Sequence, residues 1–153
     1  MTGPQFTDLS RAEHRGSSNP SHESSVFFPF VFEDRLPLLS RAIGVRRNLD
    51  GVRIHGDWVT VTFGLLNTTF DLRWVGSVDV IDPAKRPQLG PRVARRNSAL
   101  TIATGGCKLV RVVFRSPIDP VLGRRKHPQI ALTVVRPDGL RSALSRRIEA
   151  GQP

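Results

Sequence analysis

The stretch VRIHGDWVTVTF, residues 52–63, sets Val52 and Ile54 on one side of an extended chain and Val59, Val61 and Phe63 on one side of another, with Gly56 and Asp57 between them. Successive side chains of a strand point to opposite faces, so this alternation reads as two half-buried strands. A two-residue turn led by glycine joins such strands as an antiparallel hairpin. A lone hairpin is at best marginally stable in water, so the rest of the body has to supply more strands for it to pack with.

The flanking sequence supplies them. TTFDLRW (68–74) and SVDVI (77–81) continue the alternation, with Phe70 and Leu72 on one side of the first and Val78 and Val80 on one side of the second. A Pro- and Arg-rich connection, residues 82–98, leads to ALTIAT (99–104), KLVRVVF (108–114) and QIALTVV (129–135). That makes seven strands. In LTIATGGCKLVRVVF the even-numbered Leu100, Ile102, Val110, Val112 and Phe114 are expected to share a face. An antiparallel hairpin with a Thr104–Gly105–Gly106 loop satisfies that parity and places Gly106 where a left-handed residue is wanted. Cys107 would then open the next strand on the face of Arg111 and Arg115.

Ahead of the hairpin, VFFPFVFEDRLPLLSRAIG (26–44) begins with an aromatic run that Pro29 restricts to an edge strand or an extended segment. Phe27, Phe28, Phe30 and Phe32 are read as core or as a cover for an open sheet end. Asp34 can cap a short helix over about residues 35–43, with Leu36, Leu39 and Ile43 on one face and Gly44 ending it. Residues 1–25 are polar and Ser-rich and are expected to be a disordered tail. At the other end, RPDGLRSALSRRIEAG (136–151) has Pro137 suited to the first helical position, Asp138 and Arg146/Arg147 matched to the helix dipole, and Gly151 beyond the last turn. Leu140, Leu144 and Ile148 form an apolar stripe, so this helix, about 137–149, is expected to cover an open end of the β body. Residues 26–153 read as one domain.

Composition limits the function classes. The chain has 153 residues, of which 39% are hydrophobic, enough for one core. No apolar run approaches the roughly 20 residues needed to span a bilayer, and MTGPQFTDLSRAEHRGSS does not resemble a signal peptide. With a single Cys, a cytoplasmic protein without an internal disulfide is expected. The net charge of +10 is local: residues 83–128 hold eleven of the 23 basic residues against one acid, Asp119, while the rest of the chain balances. Arg95, Arg96, Arg111, Arg115, Arg124, Arg125 and Lys126 are therefore the candidate contacts for an anionic surface or protein partner reached through this segment. Twenty of the 23 basic residues are Arg and there is no Tyr, which also fits a general bias of composition.

Four strands, then three, then a C-terminal helix resemble the pleckstrin-homology-like fold, a two-sheet sandwich or partly open barrel of about seven antiparallel strands capped by an amphipathic helix. LTIATGGCKLVRVVFRSPIDPVLGRRKHPQIALTVVRPDGLRSAL (100–144) also resembles the C-terminal half of a set of uncharacterised actinobacterial proteins with recurring LTFAT, FR-P, HP-L-V-V and DP-L patterns. The likeness covers roughly residues 36–145 and rests on residues such as Gly64, Gly90, Pro91, Pro117, Asp119, Pro120, His127, Pro128 and Pro137. It implies a fold rather than an activity. The inositol-phosphate-binding members are similar to one another in a basic first hairpin loop; here that turn is IHGDW, which has an acid in that place.

No G-x-S-x-G, Walker A, H-E-x-x-H or C-x-x-C motif occurs. Cys107, His127 and Asp119 are the nearest approach to a nucleophilic triad, and a small enzyme using Cys107 and His127 is the third reading. No cofactor or metal is expected, His14 and His22 being scattered among flexible polar residues. Asp71 and Arg73 share a strand face and are expected to form a surface ion pair. The leading reading is a non-catalytic binding or scaffold domain with a basic face; the alternative is a sequence-blind, phosphate-contacting protein of nucleic acid or anionic lipid, lacking stacking aromatics in the basic segment, where Phe114 is the only aromatic and is assigned to the core.

Overall fold

A computed structural model describes residues 24–33 and 42–151. Most of the expected tail (1–25) and most of the expected helix at 35–43 lie outside the described residues, as do His14 and His22.

Alternation becomes two sheets. The first is a meander, β1 (Val26–Pro29), β2 (Gly51–His55), β3 (Trp58–Phe63) and β4 (Leu66–Asp71), with every neighbouring pair antiparallel. β1 is an edge strand, so Pro29 takes no hydrogen-bonding position that an interior strand would need. The turn at Gly56 is left-handed and pairs His55 with Trp58, as the alternation predicts. At the β3–β4 turn Gly64 is also left-handed, and a Cβ there would stand 2.2 Å from the Ile43 carbonyl oxygen. Its N–H donates to the Asp50 carboxylate, which also accepts from Arg46 N–H.

A 3-10 turn (Leu72–Trp74) follows β4 and redirects the chain into the second sheet. That sheet holds β5 (Val75–Ile81), β6 (Gly90–Val93), β7 (Leu100–Ala103), β8 (Leu109–Ile118) and β9 (His127–Leu132) in the order β5-β8-β9-β7-β6. Two expectations are corrected here. The second sheet has five strands and not three, because β5, expected among the first four, belongs to it, β1 taking the fourth place in the first sheet, and because the connection over 82–98 contains β6, paired with β7. The β7–β8 hairpin does not form: β9 lies between them, antiparallel to β8 and parallel to β7, the one parallel pair among the described strands. The parity argument holds, since Val110, Leu132 and Ile102 line up across the sheet, as do Val112, Ile130 and Leu100. What parity cannot supply is adjacency. Residues 104–108 have only to cross the end of one strand, about 10 Å, and five residues reach farther than that. Gly106 is left-handed as expected, whereas Cys107 is exposed in this crossover and not on β8.

The sheets face one another across one hydrophobic cluster and do not close into a barrel; the mostly β sandwich with a C-terminal helix is as read from the sequence. Phe70 of β4 meets Phe114 of β8 edge-to-face at 4.9 Å, and Phe30 packs on Phe63 at 5.9 Å. The aromatic run of residues 27–32 is thus core and edge strand. The chain beyond β1 stitches the two sheets together: Phe30 bridges to Val134, Val31 N–H donates to Thr133 O, and Glu33 N–H to Thr104 O. Thr104 and Thr133 are buried in this seam; Thr104 N–H donates to Thr133 Oγ1 at 2.8 Å, and the Thr104 hydroxyl reaches Val31 O. The helix (Pro137–Ala150) starts at Pro137, buries Leu140, Ala143 and Leu144, and packs on β5, β8 and the 3-10 turn. No helix among the described residues is long and apolar enough to cross a membrane.

Candidate functional site

Two loops meet at one end of the second sheet: the β6–β7 turn (94–99) and the β8–β9 loop (119–126). His127, the first residue of β9, is fully buried beneath them. Its Nδ1 lies 2.7 Å from Ser98 O, and its Nε2 faces the backbone N–H groups of Val121 (3.1 Å) and Leu122 (3.4 Å). A backbone N–H can only donate and a carbonyl can only accept. The ring is therefore neutral, with its proton on Nδ1, and it ties both loops to the sheet. Ser98, the one non-glycine residue with positive φ among those described (59°), is held there by that bond and by its own N–H to Ala94 O.

The pinned loops enclose an open groove of about 480 Å³ lined by Val93, Ala94, Arg95, Ser98, Leu122, Gly123, Arg124 and Arg125, with no acid among these residues. Three of the seven cations selected from the sequence thus converge. Arg96 is exposed on the same turn as Arg95. Lys126 neighbours Arg125 and lies 3.7 Å from Asp119 in an exposed pair, a geometry worth little.

Arg111 and Arg115 go elsewhere. Arg111 is the cross-strand partner of Asp79 and donates to it at 3.2 Å, so its charge is answered within the sheet; its Nε is buried without a partner, which nothing in the structure explains. Arg115 donates to Val75 O and lines a separate cavity with Arg73 and Arg147. The basic segment, continuous in sequence, is thus divided among at least three places.

The Cys107–His127–Asp119 constellation is not assembled. Cys107 precedes the start of β8, while His127 pairs with Ile118 at its far end. Ten extended residues separate those ends by about 30 Å. Both ring nitrogens of His127 are also spent on backbone groups, and Asp119 is exposed beside Lys126. Among the described residues no group of three His, Cys, Asp or Glu is placed to hold a metal ion.

The Asp71–Arg73 pair is not the loose surface contact expected. Asp71 is 2% exposed, accepts from Arg73 N–H at 2.8 Å, and holds the guanidinium through Nε (3.0 Å) and Nη2 (2.6 Å). The side-chain hydrogen bonds from Arg73, and then its backbone N–H, pull the Asp71 carboxyl below its ordinary value. Opposite Asp71 on β3 stands Trp58, whose ring meets Trp74 edge-to-face at 6.3 Å. This pair lies outside the basic segment and has no local signal in the sequence, its residues being sixteen apart and brought together by a strand turn and the 3-10 turn.

Compared with protein-family models, curated proteins and solved structures, the chain matches none of them.

Proposed function

We propose that this protein is a non-catalytic binding domain whose partner presents phosphate or carboxylate groups to the groove where Arg95, Arg124 and Arg125 meet. The observation that carries this reading is the groove itself: three arginines on two loops, both anchored to one buried histidine, without an acid in the lining. Like charges set on adjoining loops repel, and an anion relieves that repulsion; pre-setting the loops reduces the entropy lost when it arrives. A cytoplasmic setting belongs to the same reading and rests on the single, exposed Cys107. So does likeness to pleckstrin-homology-like domains, supported by two facing antiparallel-rich sheets and a C-terminal helix packed on β5 and β8, with the membership of the sheets, β1 in the first and five strands in the second, as the departure from the expected four and three.

Heparin serves as a generic polyanion for the test. The native protein is expected to elute from immobilised heparin at distinctly higher salt than the Arg124→Glu/Arg125→Glu variant, while Arg111→Gln elutes close to native because Arg111 is already answered by Asp79. Co-elution of the charge-reversed variant with the native protein would refute the groove as the binding face.

A further inference from the structure

The two indoles, and a cavity whose wall includes their chain neighbours Asp57 and Arg73, lie outside the groove and carry a separate inference. Trp58 and Trp74 are each 47% exposed, although rings of this size gain much from burial. They stand at an interplanar angle of 82°, which leaves ring face open to solvent. The Asp71 carboxylate, opposite Trp58, positions the guanidinium of Arg73, and Arg73 in turn forms part of the wall of a cavity of about 260 Å³ with Arg115 and Arg147. Asp57 is the one acid in that wall. Arg115 gives its Nε to Val75 O, and Arg147 gives one Nη1 to Gly56 O at 2.9 Å. A guanidinium has five N–H donors in a fixed fork, so each arginine is anchored by protein oxygens and keeps donors for a ligand; the charge of Arg73 is answered by Asp71, and Arg115 and Arg147 supply the positive charge of the wall.

Charge decides what such a ligand is. Three guanidinium groups against one carboxylate in the wall suit the anionic end of a ligand. Trp58 and Trp74 directly follow two residues of that wall, Asp57 and Arg73, and are placed for the remainder. We propose that Trp58, Trp74 and the Arg73–Arg115–Arg147 cavity form a nucleotide site, the base stacking on exposed indole and the phosphate entering the cavity. Base stacking on aromatic side chains tolerates any base, and guanidinium forks suit phosphate. The nucleotide is either free or part of a single strand, and the chemistry recognised is the same.

The chain has two Trp, both in this pair, and no Tyr, so intrinsic emission reports on the site alone. The full-length protein is titrated at low salt with adenosine monophosphate, adenosine, inorganic phosphate and an eight-residue oligodeoxyadenylate. The monophosphate is expected to quench saturably and at least tenfold more tightly than adenosine, with phosphate competing. A similar affinity for the oligonucleotide identifies a free-nucleotide site, and a tenfold or greater gain identifies a single-strand site. Trp74→Ala is expected to weaken binding roughly tenfold, read from the remaining Trp58. Arg115→Gln should abolish the preference for the monophosphate over adenosine while leaving the emission of the unliganded protein unchanged. Arg124→Glu/Arg125→Glu should quench as native does, so failure of the groove leaves this inference standing. No saturable quenching by monophosphate or oligonucleotide, equal affinity for adenosine and its monophosphate, or loss of quenching in the groove variant would overturn it.

Discussion

Replacing His127 with Ala removes the link that holds both groove loops on the sheet. The imidazole is fully buried and makes two strong bonds, Nδ1–H to Ser98 O at 2.7 Å and Val121 N–H to Nε2 at 3.1 Å; the Leu122 contact at 3.4 Å is weaker. Each buried backbone group left without a partner costs about 1–3 kcal/mol. The loops are at the surface and water reaches part of the vacated space, so about 1.5 kcal/mol per group, or ~3 kcal/mol together, is the working figure. For a chain of this size that lowers Tm by about 6–12 °C. Two conservative variants divide the effect. Asn keeps a donor near the Nδ1 position and Gln keeps an acceptor near Nε2, so each should recover roughly half of the loss. Thermal denaturation measures the sum, and amide hydrogen exchange locates it: faster exchange should be confined to residues 94–99 and 119–126, with elution from heparin moving toward that of the Arg124→Glu/Arg125→Glu variant. A Tm within a degree or two of native, or exchange raised evenly over the sheet, would show that His127 does not pin these loops.

Three further outcomes follow from single contacts. Thr133→Val removes the acceptor of the buried Thr104 N–H and should cost about 2 kcal/mol in denaturant unfolding, because the seam between the sheets is left with an orphaned donor. Gly64→Ala should cost at least about 2 kcal/mol, since it adds left-handed strain to a collision with the Ile43 carbonyl. Asp71 titrates lower in the folded protein than its ordinary 3.8, so its contribution to stability is complete above that value and is lost as pH falls through the lower native one. Urea unfolding between pH 6 and 2 should therefore show Asp71→Asn less stable than native above about pH 4, with the gap closing on acidification.

The groove and the aromatic pair differ in how far the sequence announces them. The charge imbalance of residues 83–128 is visible in the chain and drew attention to Arg95, Arg124 and Arg125. Their convergence is not visible, because it depends on His127, whose partners are backbone N–H and carbonyl groups that every residue carries and no composition reveals. The same basic run also suggested Arg111 and Arg115, which strand pairing commits to Asp79 and to Val75 O. The Trp58–Trp74 contact had no local signal, since it depends on the turn taken after β4.

Alternation of apolar and polar residues by itself determined seven of the strands, their inward faces and the hairpin turn at Gly56, though not β6, and the i, i+4 leucines with Pro137 and Gly151 determined the last helix. These are local consequences of side-chain direction and backbone sterics, which act residue by residue. Only the tertiary structure decided that β9 lies between β7 and β8. Leu100, Ile102, Val110 and Val112 bury the same faces beside either neighbour, so pairing is chosen by what else needs cover. In β9 and just beyond it Ile130, Ala131, Leu132, Thr133 and Val134 are all buried, on both parities, and a strand with two faces to hide belongs in the middle of a sheet.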